Sequence, residues 1–439
     1  MTNRSLAGLA LSAALVVAAC GSDDDAVPAP SAEPTAAAAG DDRAIVRGAF
    51  DEVRADDPTA QAVPYSESAA VVIDTDQVAS SAREDGPSGL RTYTDPVDEL
   101  PEPSIDLSIL RSGGPPPDGI PSIDDPVFHD ASTVDYLGAT DPVIALEVNG
   151  DARAYPLDIM IWHELVNDTV GGVPVSVAYC PLCNSVTVYD RELDGRIVDF
   201  GVSGLLYNSS LVMFDRQTET LWSHFTGEGL YGALSEVELV ARPATVTGFG
   251  SWVAEHPDGL VLSRDTGASR DYGRNPYPGY DDVDSDPFLF EGEVDGRYTA
   301  MTRVVGVDDA ETGTAAAFPL LALRDDGVQE STLGDRDIVA FWAPGATSAL
   351  DGGQVSGGVD VGTTGVFVPM VDGRELSFRP VLTDDGTGVF VDDQTASTWT
   401  VFGEAIEGEL AGSTLEQLTH IDTFWFAWIA FHPESAVVV

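Results

Sequence analysis

The sequence predicts a β-rich α+β fold, a tandem duplication of a mostly antiparallel β unit with few short helices. Three observations lead to it. First, short β-branched or apolar runs are separated by Gly, Asp and Pro, as in Val143–Val148, Val173–Tyr179, Val186–Tyr189 and Val198–Val202, which is the pattern of strands bounded by turns. Second, helical periodicity is scarce: in the first half, Leu157–Val166 carries the best apolar stripe, at Leu157, Ile161, Trp162 and Leu165. Third, a set of short motifs occurs twice in the same order. Tyr155-Pro156-Leu157 returns as Phe318-Pro319-Leu320, and Val177-Ala178-Tyr179 as Val339-Ala340-Phe341. Asp215-Arg216-Gln217-Thr218 with Trp222 returns as Asp392-Asp393-Gln394-Thr395 with Trp399, and Trp252 with His256-Pro257 as Trp428 with His432-Pro433. The spacing from Trp222 to His256 is 34 residues and from Trp399 to His432 it is 33, so identity, order and spacing agree together.

Five segments follow. Residues 1–19 have one arginine and then a small, apolar run ending Val17-Ala18-Ala19-Cys20. That is the form of a lipoprotein signal peptide, too short for a membrane-spanning helix. Cys20 is then the lipidated N-terminus, and the chain is expected on the outer, extracytoplasmic face of a membrane, held there by lipid. Residues 20–104, rich in Asp, Ala, Pro and Ser at their start, read as a disordered acidic tether; a short helix is expected over Arg43–Val53. Residues 105–272 form the first repeat, entered through the turn-forming run Gly113–Gly119. Residues 273–299, rich in Tyr, Pro, Asp and Gly, are the connector, and 300–439 the second repeat.

The 439 residues include 73 acidic and 21 basic side chains, all of the latter arginine, for a net charge of -52. Such a surface repels nucleic acid and excludes it as a partner. The acids are spread along the chain, which fits solvation better than a cation-gathering patch. With 43% hydrophobic residues there is enough apolar material for sizeable cores.

With Cys20 taken by lipid, Cys180 and Cys183 are the remaining thiols. They lie in Tyr179-Cys180-Pro181-Leu182-Cys183, between two strand-like runs, so the pair is expected on a β-turn. A helix N-terminus that would acidify a thiol is missing from this arrangement. In the second repeat, allowing Trp342 as one inserted residue, the segment aligns with Ala343-Pro344-Gly345-Ala346: the turn is kept and both thiols are gone. A four-residue ring closed by a disulfide stabilises by only about 2 kcal/mol, so a purely stabilising role is weak.

Three chemistries remain open for the pair. It can cycle as a redox dithiol, with Glu164 as a neighbouring acid or base. It can bind copper or zinc, with His163 and His224 completing a mixed thiolate and imidazole shell. It can also be a local disulfide in a non-catalytic extracellular binding or structural module. Whether it turns over a substrate is not decided by the residues. Asp215 is a further carboxylate candidate. His256 and His432 recur in both copies and read as structural, whereas no nucleophile elbow, phosphate loop or dinucleotide fingerprint is present.

These segments resemble the bacterial and archaeal family called domain of unknown function 3179. The likeness is carried by Gly113–Pro121, Ala152–Leu157, Trp162-His163-Glu164, Tyr179–Cys183, Phe200–Asn208, Asp215–Thr218 and Arg270-Asp271-Tyr272, and continues more weakly to the C-terminus. It implies that His163, Glu164, Cys180, Cys183, Ser203, Asn208 and Asp215 are motif positions, and it implies no activity.

Overall fold

The computed structural model describes residues 102–193, 195–383 and 388–439. The expected signal peptide, Cys20 and most of the expected tether, including the helix expected over Arg43–Val53, lie outside them. The first half opens with a hairpin, Pro142–Val148 against Asp151–Pro156. Its turn is Asn149-Gly150, both at positive φ (52° and 80°), which matches the twist of the flanking strands. Pro156, with φ -62°, leads straight into the helix Leu157–His163. This helix is shorter than the stripe to Val166 suggested, because Glu164 turns left-handed (φ 60°) and Leu165 starts the next strand.

That strand, Leu165–Val170, pairs with Val173–Cys180 around Gly171-Gly172, and Ser185–Asp190 adds as the third strand with Cys180 opposite Ser185. The thiols therefore lie on a strand–turn–strand. A further sheet runs in the order Arg111–Ser112, Phe200–Tyr207, Ser210–Asp215, Leu221–Ser223 and Gly229–Tyr231. The run expected as a strand from Val198 begins only at Phe200 and continues to Tyr207. Val198 and Asp199 instead bond to Arg191 and Gln217.

The second half repeats this order of elements. The first hairpin and its helix have counterparts in Arg303–Asp309, Thr314–Pro319 and Leu320–Asp326. The thiol-bearing sheet corresponds to Val328–Leu333, Arg336–Ala343 and Thr363–Val368. Each half adds an antiparallel strand, Thr245–Gly248 or Ile421–Phe424, and a short parallel one, Leu260–Leu262 or Ala436–Val437. Between these two strands lie the helices Phe249–Glu255 and Trp425–Phe431, whose C-caps are His256 and His432. In each half a buried aspartate accepts from a threonine three residues on and from an indole seven residues on: Asp215 with Thr218 and Trp222, Asp392 with Thr395 and Trp399, both indole bonds being 3.0 Å.

Strand register revises one expectation from the sequence. Val170 pairs with Val173 and Leu333 with Arg336, and counting from these hairpins makes Cys180 equivalent to Ala343 with no insertion. Trp342 thus occupies the place of Tyr179, and the Val-Ala-Tyr match is out of step by one residue. Nor is the turn kept. Cys180 pairs with Ser185 across four residues, whereas Ala343 pairs with Thr363 across the loop 344–362.

The largest apolar core is common to both halves. It places Cys180, Cys183, Tyr179 and Trp222 with Phe424, Trp425 and Trp428, and Phe225 stacks on Phe431 at 4.5 Å. Among the described residues no helix is long and apolar enough to cross a membrane.

Candidate functional site: a buried thiol turn under an apolar cavity

Cys180 and Cys183 are free thiols, 1% and 0% exposed. The turn between them is closed by Asn184, at φ 51°, whose N–H donates to the Pro181 carbonyl at 3.3 Å. Cys183 Sγ lies 2.9 Å from Ser185 Oγ and 3.5 Å from Ser210 Oγ. Ser185 Oγ is in turn 2.9 Å from His224 Nε2, and His224 Nδ1 is 3.0 Å from Thr187 Oγ1. Sulfur and imidazole are thus joined through one hydroxyl.

Burial pushes the His224 pKa from 6.5 down to about 3, so the ring is neutral, with one donor and one acceptor nitrogen. Hydrogen-bond bookkeeping then couples its tautomer to the state of Cys183. With Cys183 as a thiol whose S–H points to Ser185 rather than to Ser210, Ser185 donates to Nε2, and Nδ1–H donates to Thr187, which donates onward to the His224 carbonyl at 3.1 Å. With Cys183 as a thiolate, Ser185 must donate to sulfur, Nε2–H must donate to Ser185, and Thr187 must turn its proton to Nδ1.

The two thiols differ. Burial raises the Cys180 pKa far above the ordinary thiol value, and the neighbouring Cys183 adds to this. Burial also acts to raise Cys183, but hydrogen bonds from Cys180, Ser185 and Ser210 outweigh it and hold its pKa below the ordinary value. Cys183 is therefore the more readily ionised thiol of the pair.

Glu164 stands beside Cys180. Burial, and then the nearby Cys180, raise its pKa well above the ordinary carboxylate value, which favours the protonated acid. Its left-handed backbone is unusual for glutamate; the corresponding helix of the second half ends in Gly327, at φ 74°. A non-glycine residue there costs about 1 kcal/mol. The side chain faces a cavity of about 260 Å³ that Leu182, Leu211, Tyr277 and Tyr280 also line. Tyr280 donates from its hydroxyl to the Leu182 carbonyl at 3.0 Å, which holds the connector over the thiol turn.

A family model described as "Protein of unknown function (DUF3179)" matches residues 117–435. The chain belongs to this DUF3179 family. The match extends through the second half, to residue 435. No curated protein and no solved structure matches the chain.

The expected site residues of this DUF3179 protein fall into two sets. Cys180, Cys183 and Glu164 are neighbours, and His224 joins them through Ser185. His163 is engaged elsewhere: Nδ1 is 2.7 Å from the Pro121 carbonyl and Nε2 is 2.7 Å from the Tyr272 hydroxyl. The carbonyl can only accept, so Nδ1 carries the proton and Tyr272 donates to Nε2. Among the described residues no three His, Cys, Asp or Glu side chains gather as a metal-holding group. Cys180, Cys183, His163 and His224 are thus not brought together as one ligand shell for copper or zinc.

Ser203, Asn208 and Asp215 shape the sheet. The Ser203 hydroxyl bonds the Val212 carbonyl and the Leu205 N–H, supporting the register shift between Val202 and Leu206. Asn208 and Ser209, at φ 51° and 62°, form the hairpin turn. Asp215 is occupied by Thr218 and Trp222. Sequence reasoning missed Ser185, Thr187, Ser210, Tyr277 and Tyr280. Ser185 and Thr187 did leave a signal, as hydroxyl residues alternating through an apolar strand, where burial demands a partner.

Proposed function

We propose that the first half carries a thiol–disulfide redox centre, with Cys183 as the attacking thiolate, Cys180 as the second thiol and Glu164 as the proton carrier. The observation that carries the reading is the asymmetry between halves. Glu164, Cys180 and Ser185 correspond to Gly327, Ala343 and Thr363 by register, and His224, two residues past Trp222, corresponds to Val401, two past Trp399. The second half keeps the scaffold and lacks the reactive groups. Tandem duplication followed by specialisation of one copy accounts for this.

The oxidant is a small-molecule disulfide; with Cys180 and Cys183 1% and 0% exposed, it reaches the sulfurs only when the thiol turn opens. The Cys183 thiolate attacks one of its sulfurs; a mixed disulfide forms, the substrate S–S bond breaks, and the departing thiolate takes the Glu164 proton. The Cys180 thiol then gives its proton to the Glu164 carboxylate and attacks Cys183 sulfur, releasing the second substrate sulfur as a thiolate. The dithiol is oxidised, the substrate disulfide is reduced by two electrons, and Glu164 ends as it began. A lipid anchor at Cys20 would hold this centre outside the cytoplasm, where dithiol exchange is sustained.

The test is the reduction potential of the pair, by equilibration with glutathione or dithiothreitol buffers. A redox centre is expected above about -300 mV, and a potential below that marks a structural bond and ends the proposal.

A further inference from the structure

We infer that the cavity over Glu164 is a binding site for an uncharged small molecule with an apolar body and a carbonyl oxygen that faces the Glu164 carboxyl. The inference shares Glu164 with the thiol reading, but binding requires neither sulfur.

The wall explains each part of that description. Ile120, Leu182, Val202, Leu205, Leu206 and Leu211 supply an apolar lining, so the body of the ligand must be apolar. No arginine, lysine or histidine lines the cavity, and an anion entering it would lose its water with no cation to meet it. Glu164 is its one carboxyl group. It is 8% exposed, and among the described residues its side chain has no hydrogen-bond partner. A neutral carboxyl in that state has an O–H to donate, and a carbonyl oxygen is the uncharged acceptor that satisfies it. The Tyr280 hydroxyl is already committed to the Leu182 carbonyl and to the Phe288 N–H, each at 3.0 Å. The volume of about 260 Å³ lies just under the range of about 300–1,000 Å³ usual for larger ligands, so a single substituted ring is the right scale.

The backbone supports the same conclusion. Glu164 stands in a left-handed position, φ 60°, where the other half has Gly327, φ 74°, so this side chain is carried on a backbone position that favours glycine. The groups facing its carboxyl are Cys180 from the thiol-bearing strand and Tyr277 from the connector.

The test uses the full chain and two planar tetramethyl-substituted ring probes, duroquinone and durene; duroquinone presents a carbonyl oxygen at either end of its ring where durene has a C–H, and it has no open ring position for a thiol to add to. Binding is read by calorimetry. Duroquinone is expected to bind saturably and durene at least about tenfold more weakly, the effect of one buried hydrogen bond. Glu164→Gln keeps an N–H donor and should stay within about threefold of wild type, while Glu164→Leu should fall to the durene level. Raising the pH through the ionisation of Glu164 should weaken binding to wild type and leave Glu164→Gln unchanged. Equal binding of the two probes, no saturable binding, or loss of the pH response without loss of the carboxyl overturns the inference. Should Glu164→Leu fail to fold, the probe pair and Glu164→Gln still decide it. The Cys180→Ser/Cys183→Ser double variant separates the two readings. If it binds duroquinone normally while the wild-type pair proves hard to reduce, the cavity stands and the redox centre falls. A redox-active pair beside an empty cavity gives the reverse.

Discussion

Thr423 donates its hydroxyl to the carbonyl of Cys183 at 2.7 Å, across 240 positions of sequence. The adjacent Phe424 N–H reaches the same carbonyl at 3.2 Å. The second half, which has no thiols of its own at the equivalent sites, thus fixes the backbone of the thiol turn. Thr423→Val should lose one buried hydrogen bond, costing about 1–2 kcal/mol in denaturant unfolding, and should also loosen the turn. Faster Cys183 alkylation with the stability loss is the expected pair of results; unchanged reactivity would make the contact purely structural.

The two thiols should ionise apart. Thiolate absorbance followed against pH in the single variants is expected to give a lower midpoint for Cys183, measured in Cys180→Ser, than for Cys180, measured in Cys183→Ser. The causes at Cys183 are the side chain of Cys180, which Cys180→Ser replaces with a hydroxyl, and then Ser185 and Ser210. Ser185→Ala should raise the Cys183 midpoint, and reversal of the order would remove Cys183 as the nucleophile.

His224 should make the protein acid-sensitive. Its folded pKa of about 3 lies below the unfolded value of 6.5, so between those values the unfolded chain binds the extra proton. Its contribution to stability is fully present above pH 6.5 and is lost as pH falls towards 3, at up to about 1.4 kcal/mol per pH unit. Denaturant titrations across that window should show a shallower slope in His224→Gln than in wild type.

Glu164→Gly should stabilise the fold while weakening function at the site. The change relieves a left-handed glutamate, φ 60°, and removes a buried carboxyl, so a gain of about 1 kcal/mol is expected in equilibrium unfolding. Dithiol exchange and duroquinone binding should both decline. A loss of stability would mean that Glu164 is part of the packing.

The tautomer of His224 should report the state of Cys183. Nitrogen chemical shifts of the ring are expected to show the proton on Nδ1 when Cys183 is a thiol and on Nε2 when it is a thiolate. A ring whose tautomer ignores thiol ionisation would break the proposed chain through Ser185.

Local chemistry made much of this legible in the sequence. β-branched runs cut by Gly and Pro read as strands because those residues fit or break a pleated ladder on their own. The repeated Asp-x-x-Thr and Trp positions read as equivalent because each is one self-contained hydrogen-bonded unit, Asp215 with Trp222 and Asp392 with Trp399. The thiol turn followed from Cys180–Cys183 lying between two such runs. What tertiary structure alone decided is which distant groups meet the sulfurs. His163 and His224 look alike in sequence, yet one ring is held by Pro121 and Tyr272 and the other joins Cys183 through Ser185. The connector's tyrosines and Thr423 reach the site from far along the chain. Strand register, not residue likeness, fixed Cys180 opposite Ser185 and paired it with Ala343 in the other half. Sequence encodes the conformation each segment prefers; the meeting of segments is set by burial of apolar faces shared by both halves, a property of the whole packed core.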